Sequence, residues 1–177
     1  MLTTLALALQ LQAPLVVKNF LPGKTPRDTT RNYIVIHNDG AGLNASATRR
    51  ILQRRRLAYH YFISKDGAIY QWKDLKYQAL HAGVSLYEGI KDWNKFSIGI
   101  CLQGNNLFPY TDEQYQALTL LVNYINMRYP DSKEKPILGH SDVAYPKKRK
   151  KDPGEHFQLW RIYNDTTNHP RGQAQAP

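Results

Sequence analysis

Apolar residues run unbroken from Tyr33 to Ile36 and stop at His37 (YIVIH), and a second such run covers residues 97–102 (SIGICL). Runs without polar alternation mark strands buried on both faces. Residues 59–64 and 68–72 are also β-rich, and Lys65, Asp66 and Gly67 between them predict a hairpin turn. The helical period enters at two places. Residues 45–56 read as a helix with an outer face of Arg49, Arg50, Arg54, Arg55 and Arg56. Thr111 opens another, Gln114 completes a capping box, and an apolar stripe of Tyr115, Leu118, Val122, Ile125 and Tyr129 ends before Pro130. Residues 136–138 predict a short strand leading into Gly139 and His140, and residues 156–163 a last short helix. Residues 22–31, rich in Pro, Gly and charge, form an entry loop, and residues 38–44 a turn.

Strands and helices mix without strict alternation or internal repeat, so the expected fold is α/β, a central mixed sheet flanked by helices. With 177 residues, 42% of them hydrophobic, the chain is long enough for one good core and short for two. We expect an N-terminal arm (1–30), one domain (31–163) and a flexible tail (164–177). The arm begins with an apolar, signal-like stretch (1–17), but no positive residue precedes it and Gln10 and Gln12 interrupt it. The stretch is too short and polar to span a membrane. Its alternation over Leu7, Leu9 and Leu11 fits an edge strand or an arm lying on the domain.

Lysine and arginine number 24 against 14 acidic residues, a formal charge of +10 that draws the protein toward polyanions without naming one. The basic residues cluster on one helix and one loop, not interleaved with aromatics, so nucleic acid is not the expected partner. Cys101 is the single cysteine, which excludes an intrachain disulfide.

Three residues suggest metal chemistry. His37 ends a buried strand, His140 follows another, and Asp152 opens a Asp-Pro-Gly turn. Each taken alone has an ordinary structural role, a hydrogen-bonded histidine or an Asx turn. Together they supply the two imidazoles and one carboxylate that a catalytic zinc takes, with a fourth position left for water. Their separation in sequence does not itself show that they converge, and no HExxH pair is present.

Six segments occur in an order that resembles a known family: IVIH (34–37), YHYFISKDG (59–67), HAGVS (81–85), WNKFSIGICLQG (93–104), PYTDEQY (109–115), and GHSDVAYP with KKDPG (139–154). They resemble the zinc-dependent N-acetylmuramoyl-L-alanine amidases of the peptidoglycan-recognition-protein superfamily, which includes phage lysins and the amidases that recycle anhydromuropeptides. The resemblance implies that superfamily's amidase-like fold and one zinc per chain on His37, His140 and Asp152. It implies catalytic roles for Tyr59, beside the attacking water, and Lys150, on the developing oxyanion, and it places His81, Trp93 and Asn94 along the substrate cleft. Lys147, Lys148, Arg149 and Lys151 read as a solvated charge run around Lys150.

Two departures bear on the substrate. Cys101 stands where the recycling enzymes carry a glutamate, which likens this site to the tyrosine-using lysins. Lys91 and Asp92 stand near where those enzymes carry a substrate-gripping arginine. The expected activity is cleavage of the amide between the lactyl group of N-acetylmuramic acid and L-alanine in peptidoglycan, by a monomeric lysin or wall amidase. Such an enzyme would be made in the cytoplasm without a signal and act on the periplasmic side. The alternatives are a recognition module without catalysis and a cytosolic enzyme acting on anhydromuropeptides.

Overall fold

The computed structural model describes residues 16–18, 21, 23–129 and 136–164. The alternation at Leu7, Leu9 and Leu11 and the tail beyond residue 164 lie outside the described residues. In chain order the elements are β1 (Val16–Lys18), β2 (Tyr33–Asn38), α1 (Ala45–Arg55), β3 (Tyr61–Ile63), β4 (Ile69–Gln71), β5 (Leu86–Tyr87) and β6 (Ile90–Lys91). A 3-10 turn (Trp93–Lys95) follows, then β7 (Ser97–Leu102), α2 (Asp112–Arg128), β8 (Ile137–Gly139), α3 (His140–Val143) and α4 (Trp160–Asn164).

The main sheet has the order β1-β4-β3-β7-β2-β8. All neighbours are parallel except β3 and β4, the hairpin that Lys65-Asp66-Gly67 predicts. The two unbroken apolar runs, β2 and β7, lie side by side in the interior, with His37 paired to Cys101. Alternate residues of each strand then serve opposite layers. On one face Ile34, Ile36, Ile98, Ile100 and Leu102 pack against Leu118, Leu121, Val122 and Ile125 of α2. On the other, Phe62 and Cys101 meet Leu52 of α1, while Val35 packs with Trp93 and Phe96. His37 belongs to this second face by parity with Val35.

The caps follow their sequence signals. Asn44 accepts from the Ala47 amide (3.0 Å) to start α1, and Arg56, in the left-handed region at φ 54°, ends it. Thr111 and Gln114 form the reciprocal capping box of α2. At the other end of the domain the helix expected at 156–163 shrinks to Trp160–Asn164. The Gln158 amide donates to the Tyr115 hydroxyl (2.7 Å) and the Phe157 amide closes a turn on Gly154. The amides of Phe157, Arg161 and Ile162 all reach back only three residues, to Gly154, Gln158 and Leu159, so the stretch before Trp160 closes as turns and not as an α-helical ladder.

Candidate metal centre and active site

His37 is the penultimate residue of β2, and His140 begins α3 directly after β8, the strand paired with β2. Adjacent parallel strands therefore deliver both histidines at neighbouring carboxyl ends, where open α/β sheets place their sites. Asp152 arrives on the following loop, whose carbonyl at that residue accepts from the Ser141 amide (2.9 Å). Asn38 and Tyr110 fasten the same loop by donating to the Pro153 carbonyl at 3.3 and 2.7 Å. Neither was singled out by sequence, although Asn38 adjoins a predicted ligand.

The three predicted ligands converge. One atom from each of His37, His140 and Asp152 lies within 4.8 Å of the others. Asp152 Oδ2 sits 3.1 Å from His37 Nδ1 and 3.0 Å from His140 Nδ1. Burial pushes the His37 imidazole down to about 4, against the pull of the neighbouring carboxylate. Burial also opposes ionisation of Asp152, but the His140 and His37 contacts outweigh it and hold the carboxyl well below the usual range. At neutral pH the pair is thus a free imidazole and a carboxylate, the forms in which both bind metal.

The donor set fits a cation. His140 Nε2 is 3.0 Å from the Ala82 carbonyl, which only accepts, so in the neutral ring the proton is on Nε2 and Nδ1 presents a lone pair to Asp152. In that neutral form an imidazole nitrogen and a carboxylate oxygen face each other at 3.0 Å, an arrangement that a cation between them satisfies, whether a proton on the ring or a metal ion. Ligand atoms on a tetrahedral zinc, about 2.0–2.1 Å from the metal, lie about 3.3 Å apart, close to the 3.1 and 3.0 Å that separate Asp152 Oδ2 from His37 and His140.

The other predicted residues divide. The Tyr59 ring lies 4.9 Å from that of His37, and its hydroxyl stands near the Cys101 thiol. Burial pushes the Tyr59 hydroxyl and the Cys101 thiol far up, so both keep their protons. Lys150 is exposed, and its charge is near enough to help lower His37. His81, expected along the cleft, is instead buried behind His37, with Nδ1 2.9 Å from His37 Nε2 and Nε2 3.2 Å from Ser97 Oγ. Trp93 is buried in the core, its indole donating to the Ile90 carbonyl, and so it does not line an open cleft. Asn94 Oδ1 accepts from the amides of His81 (2.9 Å) and Ala82 (2.8 Å), which makes it a clamp on that segment. Arg149 is no bystander in its charge run, because it donates to the carbonyls of Ala82, Val84 and Tyr145.

A sequence profile described as N-acetylmuramoyl-L-alanine amidase matches residues 27–155, a span that holds every ligand and catalytic candidate above. The chain belongs to this amidase family. It is an amide hydrolase similar to the 1,6-anhydro-N-acetylmuramyl-L-alanine amidases AmpD of Haemophilus influenzae (40% identity over 112 residues) and Escherichia coli (36% over 155). These matches cover 63% and 77% of this amidase and 59% and 83% of the respective relatives. Among solved structures, a selenomethionine AmpD superposes with a TM-score of 0.70 at 30% identity, covering 84% of this chain and 93% of that one. AmpDh3 of Pseudomonas aeruginosa, in complex with anhydromuramic pentapeptide, superposes at 0.66 with 28% identity, covering 81% and 63%.

Proposed function

We propose that this amidase cleaves the amide between the lactyl group of N-acetylmuramic acid and L-alanine with one zinc ion held by His37, His140 and Asp152. The observation that carries the reading is the convergence of two imidazoles and one carboxylate, His37, His140 and Asp152, with one ligand atom of each within 4.8 Å of the others. When bound, zinc supplies a Lewis acid for the amide carbonyl and a water ionisable near neutral pH. Lys150 offsets negative charge as it develops on the carbonyl oxygen. Tyr59 keeps its hydroxyl proton and orients the attacking water. Cys101 stays a buried thiol and is not a nucleophile.

The names of both relatives, and the ligand of the AmpDh3 complex, support a soluble 1,6-anhydromuropeptide as substrate. A second reading, the polymeric wall, draws on Tyr59 beside His37 with Cys101 in place of a glutamate, the lysin-like arrangement. The test is to assay anhydromuropeptide and intact sacculi side by side, measuring free L-alanine amino termini and zinc content before and after a chelator. One zinc per chain, chelator-sensitive release and faster turnover of the soluble substrate are expected. Faster turnover of sacculi would select the wall reading. Undiminished cleavage after complete zinc removal would refute the metal assignment.

A further inference from the structure

His37 has two ring nitrogens, and a metal needs the correct one bare. We propose that Ser97 and His81 form a hydrogen-bonded relay that keeps the His37 proton on Nε2 and leaves Nδ1 free for the metal. The proposal rests on the zinc reading above for its purpose, though not for its geometry.

The relay is read from its far end. Ser97 Oγ contacts the Trp93 carbonyl and, at 3.2 Å, His81 Nε2. A carbonyl oxygen has nothing to donate, so the single Ser97 O–H points to Trp93 and Oγ accepts from His81. His81 Nε2 therefore carries a proton. Among the described residues every polar contact of the buried His81 ring is with Ser97 or a histidine ring, none with a carboxylate, so no anion there compensates a second proton on it. Its Nδ1 is consequently bare and accepts from His37 Nε2 at 2.9 Å. That fixes the His37 proton on Nε2 and turns the Nδ1 lone pair toward Asp152, 3.1 Å away.

The base of the relay is rigid. The Trp93 amide donates to Ser85 Oγ (3.0 Å) and its indole to Ile90. His81 is also tied to the second histidine through its neighbour, since the Ala82 carbonyl accepts from His140 Nε2. Asn94 clamps the amides of both residues, 81 and 82. One two-residue segment thus orients both metal-facing imidazoles by different means, a side chain for His37 and a carbonyl for His140. His81 and Ser97 are positioning residues, acting through His37 and not on the substrate.

The test uses the full chain in two measurements. Nitrogen-15 spectra of the metal-free wild-type protein report which imidazole nitrogen is protonated, and Nε2–H is expected for both His37 and His81. Zinc affinity is then measured by competition with a fluorescent chelator for two variants. His81→Asn places an amide oxygen where Nδ1 was and should stay within about threefold of wild type, whereas His81→Leu removes the acceptor and should weaken zinc by about 10–100-fold. A His37 protonated on Nδ1, or a His81→Leu protein that binds zinc like wild type, overturns the relay. Failure of the wild-type protein to bind zinc would instead refute the metal reading, and the nitrogen spectra would still decide the relay.

Discussion

Gly99 lies in β7 under the His81 ring, and adding one methyl group there should weaken both the fold and the metal centre. A Cβ at this position would stand 2.5 Å from His81 Cγ, 2.7 Å from Cδ2 and 2.8 Å from Nδ1. Carbon atoms in contact prefer about 3.5–4.0 Å, so the ring must retreat by about 1 Å. A displacement of that size along the 2.9 Å contact with His37 breaks it. Overpacking in a full core costs about 1–3 kcal/mol, and a buried donor left without its acceptor about 1–3 kcal/mol more. Reduced freedom of the unfolded chain returns about 0.4–1 kcal/mol, because the glycine does not occupy the left-handed region. The net expectation for Gly99→Ala is a loss of about 1–5 kcal/mol, a large share of the ~5–15 kcal/mol typical of a domain. Urea denaturation gives the stability change. Zinc competition and amide cleavage, read well below the unfolding midpoint, show whether the site suffers beyond the fold. Unchanged zinc affinity together with a stability loss under about 0.5 kcal/mol, the range of an inconsequential surface change, would mean that His81 does not lie on Gly99 and would refute the reasoning.

Three further outcomes are expected. Lys150→Ala should lower turnover by about 100-fold or more while leaving zinc content unchanged, and full activity in a zinc-loaded variant would remove the residue from the mechanism. The buried His60, its Nδ1 accepting from the Gly99 amide and its Nε2 donating to the Tyr77 carbonyl, is pushed down to about 3, chiefly by burial. The unfolded chain therefore takes up a proton near 6.5 that the folded one refuses, so stability is full above pH 6.5 and falls as pH drops toward 3, by roughly 2–3 kcal/mol at pH 4.5. Denaturation midpoints at pH 7.5 and 4.5 check this, and His60→Gln should flatten the slope. Thr111→Ala removes the acceptor for the Gln114 amide (3.1 Å) and should cost about 1 kcal/mol; an unchanged urea midpoint would show that the cap is redundant.

The frame of the protein was legible because its signals are local. β2 and β7 announce themselves as apolar runs and end up as paired interior strands, and Thr111 with Gln114 marks the start of α2 by side-chain chemistry alone. The ligands were legible as types, an imidazole after each of two strands and an aspartate in a turn, but their convergence depends on the parallel pairing of β2 with β8, which no spacing encodes. Residues 156–159 misled because their amides and carbonyls close three-residue turns, Phe157 on Gly154 and Leu159 under Ile162, a choice of backbone partner that no residue letter records.

What stayed hidden at the site shares a physical character. The groups that orient the two histidines and hold the Asp152 loop include the carbonyls of Ala82, Trp93 and Pro153. A carbonyl is present at every position, so no residue letter records which one is used. The side chains that exploit these carbonyls, Ser97, Asn38, Tyr110 and Arg149, are ordinary until their acceptors are known. His81 shows the consequence most clearly. As a histidine near a predicted active site it reads as a substrate contact, and the orientation of Ser97 toward a main-chain oxygen gives it a different task, that of directing a neighbour's proton away from the metal. A substitution such as His81→Asn separates the two roles, because it keeps the acceptor while removing the imidazole.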